Sequence, residues 1–378
     1  MKTIVIYTPT WHAFGGGEKF MMTLAESLSQ IPDTTVIMVS DHGELQKSSL
    51  EKFSGTDLSK IEYRLIQHSG ELDKITSDAD LFIYLSTFKP VKASAKRIVQ
   101  VLQIPYGKIN PATIGRKIIS GQVKEAVKDL YRLQLHTHAR QQASLILVYS
   151  KFVREVLSRN YHIDGKVLYP PIQDYARSGI SKKNIILSVG RIFRGLYNDK
   201  RYDVLTEAFR NGCKKELNGW EYHIVGSVSS DQATQDFLQS LKDVNKDYPV
   251  YFHVNESYDS VVRLYNEASI FWHAAGYGVD VDVHPENVEH FGMTTVEAMS
   301  AGCVPVVIDK GGQREIITDT VDGFLWDKID ELIARTSDII NGRCEIENLR
   351  IKARKRYEDF NLNHFQERVR ELFLPLLK

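Results

Sequence analysis

Short apolar runs alternate with amphipathic segments through the first half of the chain. The apolar runs read TIVIYT, TTVIMVS, IEYRLI, DLFIYLS, RIVQVLQ and SLILVYS, and helix-like stretches such as residues 18–30 stand between them. Runs of this length are typical of strands buried in a parallel sheet, and their alternation with helices predicts βαβ units. The pattern therefore predicts a doubly wound α/β domain.

The alternation stops near residue 170 and then begins again. The stretch LYPPIQDYARSGISKK carries Pro170, Pro171 and Gly179 and is typical of a linker. A second series follows, with the apolar runs NIILSVG, EYHIVG, VYFHV, SIFWHA and VPVVID and helix-like segments at 201–211, 231–245 and 258–268. Because 378 residues exceed the length of about 250–300 at which one core stops growing, we expect two such domains.

Composition indicates an ordinary globular protein. Lys and Arg equal Asp and Glu at 48 each, so the net charge names no class of partner. Cys213, Cys303 and Cys344 are odd in number and show no metal-ligand spacing, which favours a reduced, cytoplasmic protein without structural zinc. The first apolar run is too short for a signal peptide, and no stretch approaches the roughly 20 apolar residues that span a bilayer.

One segment is locally basic. Residues 91–140 hold ten Lys or Arg against Glu125 and Asp129. Such a block attracts anionic lipid head groups or nucleic acid, although a solvated helix face balanced by the acidic second half is an alternative. No nucleic-acid-binding module accompanies it, so a membrane surface or a phosphorylated lipid acceptor is favoured and nucleic acid is not expected.

Two candidate anion sites follow strands. Gly15, Gly16 and Gly17 open a helix after the first strand, where glycines admit a ligand to the backbone and helix N–H groups attract phosphate. The pattern is not a full GxGxxG, so a plain turn is equally open. In the second half, Arg191 follows a strand and Lys200 precedes a helix, a position that favours diphosphate binding over a solvated loop.

The stretch EHFGMTTVEAM holds two glutamates with different explanations. Thr294 and Glu297 have the spacing of a capping box, in which the threonine caps a helix and the glutamate returns to the cap N–H. Glu289 lies outside that helix, before a Phe-Gly turn, and has no evident structural task. We therefore expect Glu289 to bind a ligand.

Two Asp-x-Asp strings, Asp78-Ala-Asp80 and Asp280-Val-Asp282, raise the question of a metal. Such pairs are common by chance, and neither has a histidine or third carboxylate at supporting spacing. The first is expected to end a helix and the second to lie in a polar loop. We expect no metal at either string.

Taken in order, GGGE, YSKF, LYPP, SVGR…K, EHFGMTTVEAM, AGCVPVV and GGQREII resemble the retaining family-4 glycosyltransferases of GT-B fold, over residues 15–326. Glu289-x7-Glu297 is similar to that family's signature. The resemblance implies two facing Rossmann-like, doubly wound domains: an acceptor domain at 1–173, joined by a C-terminal helix at 361–378 that crosses back to it, and a nucleotide-sugar donor domain at 174–360.

The resemblance also implies residue roles. Glu289 would contact donor-sugar hydroxyls, while Arg191 and Lys200 would bind the diphosphate during catalysis. Glu297 would contact the nucleotide ribose. Further donor-binding residues would be Gly16, Gly17, His273, Phe291, Gly292, Met293 and Thr294.

The chain departs from the family at one position. Many relatives carry a histidine before a proline on the acceptor side of the first domain, where this chain has Gln103 in QVLQIPYG. A histidine-assisted acceptor step is therefore in doubt. His273, in FWHAAGYG, is a polar candidate at a strand end, and a buried structural histidine is the alternative.

The implied reaction is retaining transfer of a hexose from a nucleotide diphosphate sugar, without cofactor or metal. GDP-mannose is the first expected donor and a UDP-hexose the second. The acceptor would be a saccharide or lipid-linked saccharide in the synthesis of cell-surface polysaccharide or glycolipid, in the cytoplasm or on the cytoplasmic membrane face. A catalytically silent sugar-nucleotide-binding subunit and a sugar-nucleotide epimerase are the other hypotheses.

Overall fold

A computed structural model describes residues 1–378 except 12–14, 42, 44–45, 86–89, 196–198 and 215. The side chain of Arg140, one of the ten cations in the basic segment, also lies outside the described part. The chain divides into two compact units. The first unit comprises Met1–Pro171 and Leu362–Lys378, and the second comprises Ile172–Asn361.

The first unit is built on a parallel sheet of seven strands among the described residues. In chain order they are β1 Lys2–Tyr7, β2 Thr34–Ser40, β3 Glu62–Leu65, β4 Leu81–Leu85, β5 Ile98–Leu102, β6 Leu145–Val148 and β7 Lys166–Val167. Their spatial order is β3-β2-β1-β4-β5-β6-β7, and every pairing is parallel. All six apolar runs predicted in this half form strands.

Helices connect these strands. They are α1 Gly16–Ser29, α2 Lys47–Ser54, α3 Leu72–Thr76, α4 Pro111–Ile119, α5 Val123–Gln142 and α6 Lys151–Tyr161. Helix α1 shows why the chain folds this way. Its residues Phe20, Met21, Leu24, Ala25 and Leu28 recur at helical spacing and are fully buried in the core of the unit.

The second unit repeats the architecture with six parallel strands in its described part. They are β8 Lys183–Val189, β9 Glu221–Gly226, β10 Val250–Val254, β11 Ala268–His273, β12 Val304–Ile308 and β13 Phe324–Trp326, in the spatial order β10-β9-β8-β11-β12-β13. The connecting helices are α7 Tyr202–Cys213, α8 Gln232–Val244, α9 Tyr258–Glu267, α10 Met293–Ser300, α11 Gln313–Ile316, α12 Ile329–Ile340 and α13 Ile346–Tyr357. The predicted doubly wound α/β class is confirmed.

The last helix, α14 Leu362–Leu377, returns to the first unit. Phe365 packs edge-on against Phe20 of α1, with ring centroids 5.6 Å apart. Val369 and Phe373 are fully buried in the same core. The expected return of the C-terminal helix is therefore confirmed.

Across the described stretches of the chain, no helix is both long enough and apolar enough to cross a bilayer.

Candidate functional site

Both sheets change direction beside their first strand. β1 lies between β2 and β4, and β8 lies between β9 and β11. In open parallel sheets, ligands bind outside the carboxyl ends of the strands at such a point. In the second unit, β8 ends at Val189 and β11 ends at His273. The predicted residues Arg191 and His273 thus lie at the edge where a ligand is expected.

Lys200, Glu289 and His273 form a nearly buried polar cluster in the second unit. Lys200 Nζ lies 2.5 Å from Glu289 Oε2, and His273 Nε2 lies 3.1 Å from the same oxygen. Their side chains are 15%, 13% and 3% exposed in that order. Burial alone would raise the pKa of Glu289, but the charge of Lys200 and the hydrogen bond from His273 outweigh it and hold that pKa well below its usual range. Glu289 is therefore an ionised carboxylate.

His273 acts as a donor to Glu289. Burial, helped by the charge of Lys200, lowers its pKa against the opposing influence of Glu289, so the ring is neutral near pH 7. An ionised carboxylate only accepts hydrogen bonds, so the proton of the neutral ring is assigned to Nε2. Nδ1 is buried and has no hydrogen-bond partner in the described part of the chain. His273 is therefore a buried histidine that donates to Glu289 from the end of β11, and its role in donor binding stays a prediction.

Lys200 reaches the cluster across a glycine. A Cβ atom on Gly190 would lie 2.8 Å from Lys200 Cε. The lysine stem therefore crosses the chain directly beyond β8, and any side chain at this position would displace it. Gly190 was not singled out from the sequence, although its place between a strand and Arg191 is a signal for close backbone approach.

Two further glycines pack against the backbone of the Glu289 loop. Gly312 N–H donates to the Glu289 carbonyl oxygen at 2.8 Å. A Cβ atom on Gly311 would lie 2.2 Å from that oxygen, and one on Gly312 would lie 2.4 Å from Phe291 Cα. These glycines belong to the motif GGQREII, and the resemblance assigned them no role. In the structure they bring the chain after β12 into direct contact with the loop that carries Glu289.

The capping box predicted for Thr294 and Glu297 is wrong. Helix α10 begins at Met293 after the N-cap Gly292, whose φ of 123° suits glycine and which has no side chain to cap the helix. Thr294 therefore lies inside the first turn and not at the cap. The first N–H groups of a helix lack intrahelical partners, so Gly292, Met293 and Thr294 present the end of α10 that favours an anion.

Glu297 is held by two tyrosines that the sequence did not single out. Tyr265 Oη donates to Glu297 Oε2 at 2.8 Å, and Tyr175 Oη donates to Oε1 at 3.2 Å. Burial and the negative charge of Glu297 raise the pKa of both tyrosines, so they remain neutral donors. Their rings meet edge to face with centroids 5.3 Å apart. Glu297 therefore has a fixed orientation.

Arg191 is exposed and points to a neighbouring groove. Its guanidinium lies 5.1 Å from the centre of the Phe193 ring. The groove has a volume of about 890 Å³ and is lined by Arg191, Phe193, Ser227 and Ser229, among others. Within the described part of the chain, Arg191 forms no ion pair with a carboxylate. Its charge is available to a bound anion.

The first unit brings together Gly17 and Gln103. Gln103 directly follows β5, and a Cβ atom on Gly17 would lie 3.0 Å from Gln103 Oε1. Gly15 is the N-cap of α1, and its N–H donates to Glu18 Oε2 at 2.9 Å. The predicted phosphate-binding turn of Gly16 and Gly17 thus begins beside the carboxylate of Glu18.

The Asp-x-Asp strings have local partners. Asp80 accepts from Thr3 N–H at 3.0 Å and pairs with Lys96 at 2.9 Å, and these contacts lower its pKa to about 2. Asp280 accepts from the N–H of Asp282 at 3.0 Å and stabilises a turn. No group of three His, Cys, Asp or Glu that could hold a metal occurs among the residues that the structure describes.

Residues 173–356 match the family described as Glycosyl transferases group 1. This match covers nearly all of the second unit, including Arg191, Lys200, Glu289 and Glu297. A curated relative, the GDP-Man:Man(3)GlcNAc(2)-PP-Dol alpha-1,2-mannosyltransferase of Dictyostelium discoideum, is 27% identical over 241 residues, or 60% of this chain. The alignment covers 45% of the relative, so the chain spans less than half of that protein.

Solved structures share the fold over the whole chain. A glycosyltransferase from Rickettsia africae has a TM-score of 0.71 at 18% identity and covers 100% of this chain and 99% of its own. HepE of Anabaena, solved in complex with UDP and glucose, has a TM-score of 0.66 at 15% identity and covers 99% of this chain and 100% of its own. The chain therefore has the GT-B fold of these solved structures, and its residues 173–356 match the glycosyl transferases group 1 family.

Proposed function

We propose that the protein transfers a hexose from a nucleotide diphosphate sugar to a saccharide or lipid-linked saccharide, with retention of the anomeric configuration. The observation that carries this proposal is the ionised Glu289, held by Lys200 and His273 at the carboxyl edge of the second sheet. An oriented carboxylate suits the hydroxyl groups of a sugar, which donate hydrogen bonds. The adjacent cation suits a diphosphate.

The charges support a division of roles within the donor site. The Lys200 ammonium has three N–H donors, so it can keep its contact with Glu289 and donate to a diphosphate oxygen as well. Arg191 supplies a second positive charge, and the N-terminal end of α10 at Gly292 and Met293 favours an anion. Glu297, oriented by its two tyrosines, would bind the ribose.

In the proposed reaction, the acceptor hydroxyl oxygen bonds to the anomeric carbon as the bond from that carbon to the diphosphate oxygen breaks. The acceptor proton passes to an oxygen of the departing diphosphate. The protein stabilises the charge that develops on the diphosphate, mainly through Lys200 and Arg191. Analysis of the product by NMR tests retention: a product with inverted anomeric configuration would refute this step.

We propose that no metal or cofactor takes part. Lys200 and Arg191 would supply the positive charge that a metal supplies in other nucleotide-sugar sites. Turnover should therefore be the same in EDTA and in added manganese. Activity that EDTA abolishes and manganese restores would contradict this proposal and would indicate a metal at one of the Asp-x-Asp strings.

We propose GDP-mannose as the donor. The support is the Dictyostelium relative, whose name specifies GDP-mannose and a dolichol-linked acceptor. A UDP-hexose is the second candidate, because HepE has also been solved with UDP-glucose. The acceptor region around Gln103 matches no motif that identifies the acceptor.

A thermal-shift screen against nucleotide sugars tests the donor. A ligand at one hundred times its Kd stabilises the folded protein by about 2.7 kcal/mol, which raises Tm clearly. GDP-mannose should raise Tm more than GDP, UDP-glucose or UDP-galactose. A larger rise in Tm with a UDP-sugar would indicate that the UDP-sugar is the donor. Tight binding without transfer, hydrolysis or isomerisation of any sugar would indicate a silent binding subunit, and isomerised donor without acceptor would indicate an epimerase.

A further inference from the structure

Helix α5 in the first unit turns an apolar stripe toward solvent. Val123, Val127, Leu130 and Tyr131 recur at helical spacing, and each is more than 40% exposed. On the opposite side of the same turns, Ala126 and the acidic Asp129 are buried. A surface helix of a globular protein normally buries its apolar stripe, so the first half of α5 has the reverse orientation.

The end of α4 extends this apolar surface. Ile119 is 88% exposed and Ile118 is 52% exposed, and three residues separate the end of α4 from the start of α5. The two helices are held together by an ion pair between Lys117 Nζ and Asp129 Oδ2 at 2.6 Å. Asp129 also pairs with Arg132 at 3.1 Å. The apolar residues thus project from a helical hairpin whose two helices are joined by the ion pair between Lys117 and Asp129.

Cations surround the apolar residues. Lys108, Arg116 and Lys124 are exposed and pair with no carboxylate within the described residues. Between residues 106 and 132 the chain has six Lys or Arg and only two acidic residues, one of which is the buried Asp129. The surface therefore combines apolar area with unneutralised positive charge.

We infer that the hairpin of α4 and α5 docks on an anionic lipid bilayer. Ile118, Ile119, Val123, Val127, Leu130 and Tyr131 enter the boundary between head groups and acyl chains, while Lys108, Arg116 and Lys124 contact anionic head groups. Either attraction alone gives weak binding, and the two together give stable peripheral attachment. This inference rests on the proposed function, since it brings the first unit to the surface where a lipid-linked acceptor resides.

The charge of the surface decides among its potential occupants. A second copy of the chain would bring the same positive charges face to face, which costs free energy. Nucleic acid would match the cations but would leave the apolar residues against a polar backbone. An anionic bilayer satisfies both the cations and the apolar side chains.

Vesicle flotation of the full chain tests the inference. The protein should float with phosphatidylcholine vesicles that contain phosphatidylglycerol, bind vesicles of phosphatidylcholine alone much more weakly, and lose affinity as salt rises. Replacing Ile118 and Ile119 by Ser should weaken binding to the anionic vesicles at least about tenfold. Replacing Lys108, Arg116 and Lys124 by Gln should weaken it by about a hundredfold.

The chain offers a matched control in α13 of the second unit. Ile351 is 68% exposed and is followed by the exposed Lys352. The double variant Ile351→Ser, Lys352→Gln should bind vesicles like the wild type. If the Ile118 and Ile119 double variant has a lowered Tm, Ile119→Ser alone replaces it, since that side chain is nearly fully exposed.

The outcomes separate this inference from the proposed function. Absence of flotation by a protein that still binds a nucleotide sugar would overturn the inference and leave the proposed function intact. Flotation by a protein that binds no nucleotide sugar would overturn the proposed function and leave the docking of the hairpin intact. Equal flotation of the wild type and both hairpin variants, or a dimer that the Ile118 and Ile119 substitutions convert to monomer without loss of flotation, would also overturn the inference.

Discussion

Lys200 and Glu289, which lie 89 positions apart in the sequence, form an ion pair of 2.5 Å at the carboxyl edge of the second sheet. The same carboxylate oxygen accepts a hydrogen bond from His273. This oxygen therefore links three segments: Lys200 lies after β8, His273 ends β11, and Glu289 lies in the loop before α10. Such a carboxylate is fixed in position before any ligand arrives.

Lys200→Ala and Glu289→Ala should each lower kcat by a factor of about ten or more. Each change removes an oriented charge that is worth a few kcal/mol in a preorganised site. The measurement is steady-state transfer from the donor identified by the thermal-shift screen. Lys183→Ala is the control, because Lys183 forms an ion pair with Glu267 in the same unit but is 58% exposed. Near-wild-type turnover in both site variants would contradict the assignment.

Tyr265→Phe should weaken nucleotide binding about fivefold. The change removes one hydrogen bond to Glu297, worth about 1 kcal/mol, and keeps the ring in its buried place. Isothermal titration with the nucleotide diphosphate measures the effect. Tyr222→Phe is the matched control, since Tyr222 is equally buried in the same unit and its hydroxyl lies 2.9 Å from Ser188 Oγ. Equal affinities in the two variants would show that the orientation of Glu297 does not matter to binding.

Gly311→Ala should reduce both stability and turnover. Its φ is +59°, and the added Cβ would lie 2.2 Å from the Glu289 carbonyl oxygen, so the Glu289 loop must move. Gly342→Ala separates the two causes, because Gly342 has a φ of +69° with open space around it. We expect Gly342→Ala to lose about 1 kcal/mol of stability and no activity. If both variants keep full turnover, close packing behind Glu289 is not required.

The first unit should lose stability as the pH falls from 6.5 toward 4, in part because of His136. Burial, with the nearby charge of Arg132, lowers the pKa of His136 from 6.5 to about 4. The unfolded chain therefore takes up the proton at a higher pH than the folded chain does, and the linked loss of stability reaches about 3 kcal/mol. Above pH 6.5 the group has no such effect.

His136→Phe isolates this contribution. The ring of His136 stacks on Tyr161 with centroids 3.8 Å apart, and phenylalanine preserves an aromatic ring without a titrating group. Urea unfolding of the two proteins at several pH values should give a stability difference that grows as the pH falls below 6.5. A difference that is constant with pH would contradict the prediction, since the other histidines are common to both proteins.

The sequence predicts the strands of this fold well because a strand buried on both faces needs an uninterrupted apolar run. It misses β7 and β13, which have only two and three residues and therefore too little pattern. It also misplaces the start of α10, since the positive φ of Gly292 begins the helix before Thr294 can cap it. Local spacing does not reveal a backbone conformation that tertiary contacts impose.

The site is less predictable than the fold because its contacts join distant segments. Tyr175 and Tyr265 read as ordinary apolar positions, and only the folded chain shows that both donate to Glu297. The sequence also does not show which face of α5 is exposed to solvent. Periodicity shows that Val123 and Val127 share a face, but it does not show whether that face points inward.

Helix α14 has a consequence for synthesis of the chain on the ribosome. The second unit is contiguous, so it can fold once Asn361 has emerged. The first unit begins with Met1 but needs Phe365, Val369 and Phe373 to fill its core against α1. Although its strands are made first, this unit must wait with an open apolar surface until the last segment arrives. Folding order is therefore expected to run opposite to the order of translation, and chaperone binding to nascent chains should concentrate on the first unit.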